Sequence, residues 1–228
     1  MKKALMSVMA LSAILIALFV AMPLAPAADK LNPILKIPFP GVMLVYTEQN
    51  IGVRVWAPEW GKGKETDVRT VTFLPSLEAG HVWMRDSLDP ESTEGVPEFS
   101  EAEIDISTRK IVHPPDLNYY SQFLIPTDIR VNDVIYVGIP EFSGTSPGLP
   151  VTVVGTQIIS VMGKRVYAWV LEIRHTNTYQ YQYQYTYTYL YCKSSGILLS
   201  AQGAWFNEDG TPTYSWTILL TDTNAQIR

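Results

Sequence analysis

The chain has 228 residues, 47% of them hydrophobic and 17% charged, with a formal charge of −5 and a mean hydropathy of +0.06. These values describe a folded protein with one sizeable core and exclude a disordered chain or a multi-span membrane protein. The acidic balance excludes a nucleic-acid binder of the counterion-releasing kind, and the single cysteine, Cys192, excludes an internal disulfide and a cysteine-based zinc site.

Lys2 and Lys3 precede an apolar run from Ala4 to Met22, and Pro23 leads into Ala25-Pro26-Ala27. A basic start, an apolar stretch and small residues at the exit predict a signal helix cut near Ala27, or an uncleaved anchor if the cut fails. The expected organisation is a signal over 1–27 and one β domain over 28–228. Removing the two lysines takes the formal charge from −5 to −7.

After a proline-rich lead-in over 31–40, residues 42–47 and 52–57 read as a first hairpin around Glu48-Gln49-Asn50. Trp56 to Lys64 reads as a loop and 68–74 as a strand. Leu74 to Met84 and Pro97 to Ala102 are the two places where a short turn of helix would fit. Asp86 to Asp105 holds eight acids and no Lys or Arg, but its spacing matches no calcium loop, so a solvated connection is expected. Residues 103–112, 123–126 and 134–139 read as further strands, and 142–150 as a Gly/Pro/Ser loop.

The last third reads as an antiparallel meander. Residues 151–161 and 165–174 flank Met162-Gly163-Lys164, and 197–206 and 213–221 flank a turn over 207–212. Between them, Tyr stands at every second position from Tyr179 to Tyr191. A period of two puts seven phenols on one face of an extended strand and Gln, Thr and Leu on the other. A twisted sheet of about ten strands must curl, so the expected fold is all-β, a long antiparallel meander forming a curved half-barrel or open sandwich.

No catalytic residues and no cofactor are assigned. Gly144-Thr-Ser-Pro-Gly148 has the letters of a hydrolase elbow, yet Pro147 lacks the N–H that the oxyanion needs and a strand follows. His81, His113 and His175 have no paired metal-ligand spacing, so no metal site is expected. The candidate ligand-binding residues are Tyr179, Tyr181, Tyr183, Tyr185 and Tyr187, with Trp169, Trp205 and Trp216 on neighbouring strands. Amphipathic rings in a row suit an apolar ligand, a glycan or an envelope protein. The same row also serves as a cross-strand structural ladder, and if left uncovered it is prone to self-association.

Several pieces together resemble a group of exported β-rich proteins of archaea: Asp105 to Val112, Phe123 to Pro126 leading to Val131-Asn-Asp-Val134, Gly163 to Trp169, and Tyr191 to Leu199. Where that group has an acidic residue and Thr-Gly in the last turn, this chain has Lys193 and two serines. The same succession is similar to the curved sheet of LolA-like carriers, which implies an open half-barrel with helices over its concave face. The expected function is a non-enzymatic, secreted or cell-surface protein with a binding or structural role at the cell envelope. The alternative is a secreted polysaccharide hydrolase working through surface carboxylates. No nucleic acid partner is expected, and contact with membrane only through a retained N-terminal segment.

Overall fold

The computed structural model describes residues 38–52, 63–88, 99–113, 119–138, 148–177, 183–207 and 210–227. The expected signal and the Gly144 to Pro147 part of the hydrolase-like letters lie outside them, as do Tyr179 and Tyr181. Eleven strands form one sheet: β1 (Met43–Gly52), β2 (Gly63–Pro75), β3 (His81–Leu88), β4 (Phe99–Asp105), β5 (Ile111–His113), β6 (Val134–Val137), β7 (Leu149–Val161), β8 (Lys164–Asn177), β9 (Tyr183–Cys192), β10 (Leu198–Phe206) and β11 (Pro212–Thr223). Their order is β5-β4-β3-β2-β1-β11-β10-β9-β8-β7-β6, and each strand pairing is antiparallel. Among the described residues there is no helix.

Four expectations are corrected. Residues 103–112 fall into two strands, β4 and β5, around a turn at 106–109, and residues 123–126 lie in no strand, with Leu124 alone bridging to Ile197. The expected first turn is absent: β1 runs without a break through Glu48-Gln49-Asn50 to Gly52, because Glu48 and Asn50 face the interior beside Arg69 and Tyr214, while residues 53–57 of the expected second strand lie outside the described residues. Among the described residues the helical turns allowed over 74–84 and 97–102 are absent: Pro75 ends β2, a tight turn over 76–80 reverses the chain into β3, and Phe99 opens β4, with Pro97 and Glu98 outside the described residues.

Alternation sets the two faces. Val42, Leu44 and Tyr46 are buried on β1, Val71 and Phe73 on β2, Val82 and Met84 on β3, and Tyr214, Trp216, Ile218 and Leu220 on β11. The register joins these into one inner face, in rows such as Leu171–Tyr189–Ala201–Ile218–Glu48 across five strands. A second buried set, Val161, Val166, Ala168 and Cys192, lies on the opposite face of β7, β8 and β9, Val161 being turned to it by the register shift between Val153 and Gly155.

The sheet is not closed, but its edges are brought together. β5 and β6 are the two edges, and Tyr120 forms an antiparallel bridge to Lys110 beside β5 and a parallel bridge to Val137 on β6. One residue can pair with both edges only if the sheet bends round through most of a turn. The chain from Ser121 to Ile129 then crosses the concave side as a strap. Its Phe123, Leu124 and Ile125 are buried.

Antiparallel alternation also gives the sheet two distinct ends. The tight turns over 76–80, 106–110, 162–163 and 193–197 share one end, here the turn end. The strand ends at Gly52, Leu88, Asn177 and Phe206 share the other, the far end.

Candidate functional site

The tyrosine strand lies inside the sheet, paired with β8 on one flank and β10 on the other. Tyr185, Tyr187, Tyr189 and Tyr191 all face inward, and their rings touch in sequence at 5.1, 6.5 and 6.1 Å between centroids. Trp205 packs on Tyr185 at 5.4 Å, and Trp216 lies against Tyr187 at 5.4 Å and Tyr189 at 6.4 Å. Gly203 makes this possible: it lies between Tyr187 and Trp216 in register, and their rings close over it. A β-carbon there would come within 2.6 Å of the Trp216 ring.

Exposure along the row runs in one direction. Tyr185, nearest the far end, is 9% exposed, Tyr187 1%, and Tyr189 and Tyr191 0%. The inner two rings are fully enclosed, and Tyr185 is the ring of the row nearest solvent. At the turn end one hydroxyl anchors the strap and another reaches β10. Tyr191 donates to the Gln122 carbonyl at 2.8 Å and Tyr46 to the Leu198 carbonyl at 3.0 Å. Burial pushes both phenols well above the usual tyrosine pKa, so they stay protonated and keep donating.

The strap is fixed from both sides. Leu198 donates its N–H to the Phe123 carbonyl at 3.0 Å, and Ile125 donates to Gly196 at 2.9 Å. Arg109 Nη1 donates to the carbonyls of Ile125, at 2.9 Å, and Ser195. Gly196 has φ of 71°, and a β-carbon there would collide with the Ile125 carbonyl, so this turn position demands glycine. Phe123 packs on Tyr46 at 5.2 Å, and the Arg69 guanidinium carbon lies 5.9 Å from its ring centroid.

Arg69 belongs to a polar wall on the inner face of β1, β2 and β3. Its Nη1 is 2.6 Å from Asp86 Oδ2, and its Nη2 is 3.1 Å from Glu48 Oε2. Asn50 donates to Glu48 Oε1 at 3.5 Å and accepts the Tyr214 hydroxyl at 2.5 Å. Burial raises the Asp86 pKa, although Arg69 pulls the other way. For Arg69, burial lowers the pKa, but Asp86 and Glu48 outweigh it and hold the guanidinium charged. Asn50 stands opposite Trp216 in register and Glu48 opposite Ile218, so the polar wall joins the aromatic wall along the β1–β11 seam.

Of the predicted site residues, Tyr185, Tyr187, Trp205 and Trp216 are brought together. Trp169 is apart, opposite Tyr191 near the turn end, with the Lys193 ammonium 4.6 Å from its ring. Tyr183 starts β9 in register with Asn177. Sequence reasoning missed Asn50, Glu48, Arg69, Asp86 and Tyr214. The signal was present: Arg69 shares parity with Val71 and Phe73, and Asp86 with Val82 and Met84, which marks both as inward charges.

His81 and His113 form no shared site, and the His175 side chain lies outside the described ones. His81 on β3 lies 3.6 Å from Glu103 and 3.8 Å from Asp105, and His113 on β5 stacks edge-on to Trp83 at 5.5 Å, all away from the aromatic row. Among the described residues no group of three or more His, Cys, Asp or Glu side chains is assembled to hold a metal ion.

The chain matches no protein-family model. No curated protein matches it. Among solved structures, it is similar to a Nitrosomonas europaea protein provisionally assigned as an AttH, at 10% identity and a TM-score of 0.24, with 85% of this chain and 74% of that one covered.

Proposed function

We propose that this is an extracytoplasmic binding protein without catalytic chemistry. Its ligand enters the curve of the sheet from the far end and rests against Tyr185, Tyr187, Trp205 and Trp216. The observation that carries the reading is the one-way rise in exposure along the tyrosine row, combined with a strap that fills the turn end. Sites in curved β-sheets lie at the open mouth, where apolar walls meet a few placed polar groups. The leader-like segment before residue 28 supports transport out of the cytoplasm.

The hydrolase alternative needs one carboxyl holding a proton and one free carboxylate across a glycosidic bond. In this wall Arg69 binds both Glu48 and Asp86, which ties up the pair that such chemistry would use.

The test is to isolate the protein from its native compartment, extract it under denaturing conditions and identify bound compounds by mass spectrometry. Wild type should carry a compound that a Tyr185→Ser/Trp205→Phe double variant has lost, while its far-ultraviolet circular dichroism is unchanged. Wild-type protein that is empty in both extraction and native mass spectrometry would sink the binding reading and leave a structural envelope role. Mass spectrometry of the mature N-terminus tests the leader: a start near Asp29 supports cleavage, and an intact Met1 refutes it.

A further inference from the structure

Going beyond that reading and independent of it, we infer that the open edge of β7, from Thr156 to Ser160, is the interface on which two copies of this chain pair, antiparallel about a twofold axis, into one continuous sheet. The inference rests on which backbone groups the edge presents, on what its side chains are, and on how the segment matches itself.

β6 covers only the first part of β7, from Leu149 to Thr152, and Asn132 and Asp133 bond to the Val153 backbone just beyond it. From Val154 to the hairpin turn no described strand flanks β7 on that side, and Thr156, Gln157, Ile158 and Ser160 are exposed. The hairpin fixes which groups point outward. Its turn has two residues, Met162 and Gly163, with φ of 51° and 72°, and it sets Val161 opposite Lys164. Such a turn is closed by a bonded pair, and bonded pairs alternate along an antiparallel ladder. Ile159 and Gln157 therefore bond to Val166 and Ala168, and Thr156, Ile158 and Ser160 aim their N–H and C=O away from β8. The same alternation turns the Tyr167 carbonyl away from β7, where it accepts the Lys193 N–H at 2.8 Å.

Sheet edges are normally guarded by lysine, proline, brevity or a covering element. β5 and β6 are short, and Tyr120 bridges to Val137 on β6 and to Lys110 beside β5; β4 carries Glu101, Glu103 and Asp105. Val154 to Val161, Val-Gly-Thr-Gln-Ile-Ile-Ser-Val, has neither charge nor proline, and its register with β8 is unbroken from Gly155 onward. In a chain of formal charge −5, two copies repel except through a neutral surface, and this edge is one.

The segment is also its own complement. With the axis through Ile158, that residue meets Ile158 of the partner subunit, Thr156 meets the partner's Ser160, and Ser160 meets the partner's Thr156. All are pairs whose outward backbone groups bond to each other. Tyr167, 59% exposed, stands beside Ile158, 45% exposed, so pairing lines up Tyr167, Ile158, the partner's Ile158 and the partner's Tyr167 across four strands. The centre also divides the free stretch equally, because Met162 then falls opposite the partner's Val154, where the open edge ends. Gly155 to Val161 spans about 23 Å. Two edges of that length bury less than the roughly 800 Å² per partner of a standard interface, so the dimer is expected to be concentration-dependent.

The experiment uses the full chain, whose one cysteine, Cys192, is buried. Sedimentation velocity should show wild type passing from monomer to dimer between about 1 and 500 μM. Ile158→Lys and Ile158→Glu each set like charges opposite one another and should weaken dimerisation at least about tenfold, with far-ultraviolet circular dichroism unchanged. Mixed in equal amounts, the two variants should form a dimer that neither forms alone, since position 158 meets itself across the axis. Under mild oxidation Ile158→Cys should cross-link into a dimer and Gln157→Cys should not, because the Cα atoms of a bonded pair are about 5.5 Å apart, within disulfide reach.

Wild type that stays monomeric up to about 500 μM, whether or not another extended chain occupies the edge, overturns the proposal. A dimer that Ile158→Lys leaves intact overturns it too, as does a mixture of the two charged variants that fails to associate. Should either charged variant not fold, the Ile158→Cys cross-link decides the matter, and its absence is a refutation.

Discussion

Truncating Phe123 to alanine tests whether the strap is part of the core. Phe123 is 2% exposed, lies against Tyr46 and is within reach of the Arg69 guanidinium. Removing a buried phenyl ring costs about 3–5 kcal/mol through lost transfer energy and the cavity left behind. The aromatic pair with Tyr46 contributes about 0.5–1.5 kcal/mol beyond area. These terms overlap, so a loss of about 4 kcal/mol is expected, a large share of the roughly 5–15 kcal/mol that holds a domain folded. The backbone bonds of the strap, Leu198 N–H to Phe123 and Ile125 N–H to Gly196, do not depend on the ring and should survive. The assay is equilibrium urea unfolding followed by tryptophan fluorescence, with wild-type slope retained as the check that the same surface is exposed. Leu77→Ala, at a fully exposed turn position, is the control and should change stability by less than about 0.5 kcal/mol. A Phe123→Ala loss below about 1.5 kcal/mol at unchanged slope would refute the placement of the strap in the packed interior.

Arg69→Met leaves Glu48 and Asp86 buried without their counter-charge and should cost about 3–5 kcal/mol at neutral pH. The Asp86 pKa is already raised by burial, so this variant should recover stability as pH falls and that carboxyl takes up its proton; a loss independent of pH would contradict the assignment. Gly196→Ala must place a β-carbon against the Ile125 carbonyl and should block folding or lower the melting temperature steeply. Gly163→Ala, with a similar φ of 72° but open space around it, should cost only about 1–2 kcal/mol, and equal effects would show that the strap does not press on the turn. Asp105 is held down to a pKa of about 2, first by the Ser107 hydroxyl and then by the Thr108 N–H. A depressed folded-state pKa gives stability that is present above the unfolded value of about 3.9 and lost as pH falls toward 2, so Asp105→Asn should flatten the acid limb of a stability profile between about pH 4 and 2.

What the sequence revealed follows from how local each signal was. The alternation in Tyr183 to Tyr191 and in Tyr214 to Leu220 needs no partner to be recognised, because a period of two is a property of the extended chain itself. The fault at Glu48-Gln49-Asn50 has the opposite origin. Three polar residues in a row resemble a turn, and only their neighbours on β2 and β11 show that Glu48 and Asn50 point inward. Phe123-Leu-Ile resembles a strand for a similar reason. All three side chains are buried because the segment lies against the concave face, which sequence periodicity cannot distinguish from a strand covered on both sides. The aromatic half of the candidate site was therefore legible, Arg69 and Asp86 could have been read from the parity of their buried neighbours, and Glu48 and Asn50 depended on tertiary pairing.

The middle of the sheet joins its first strand to its last, with Leu44 opposite Thr223 across nearly the whole described chain. Synthesis from the N-terminus thus delivers the left half of the sheet long before the strand that must seal it. Until β11 arrives, β1 and β10 are both raw edges in the middle of the sheet, and closing so long a loop is slow. A transcript cut short by a single strand would yield two unfinished ribbons, each with a sticky margin. The intact chain has its short outermost strands, bridged by one residue, as its borders.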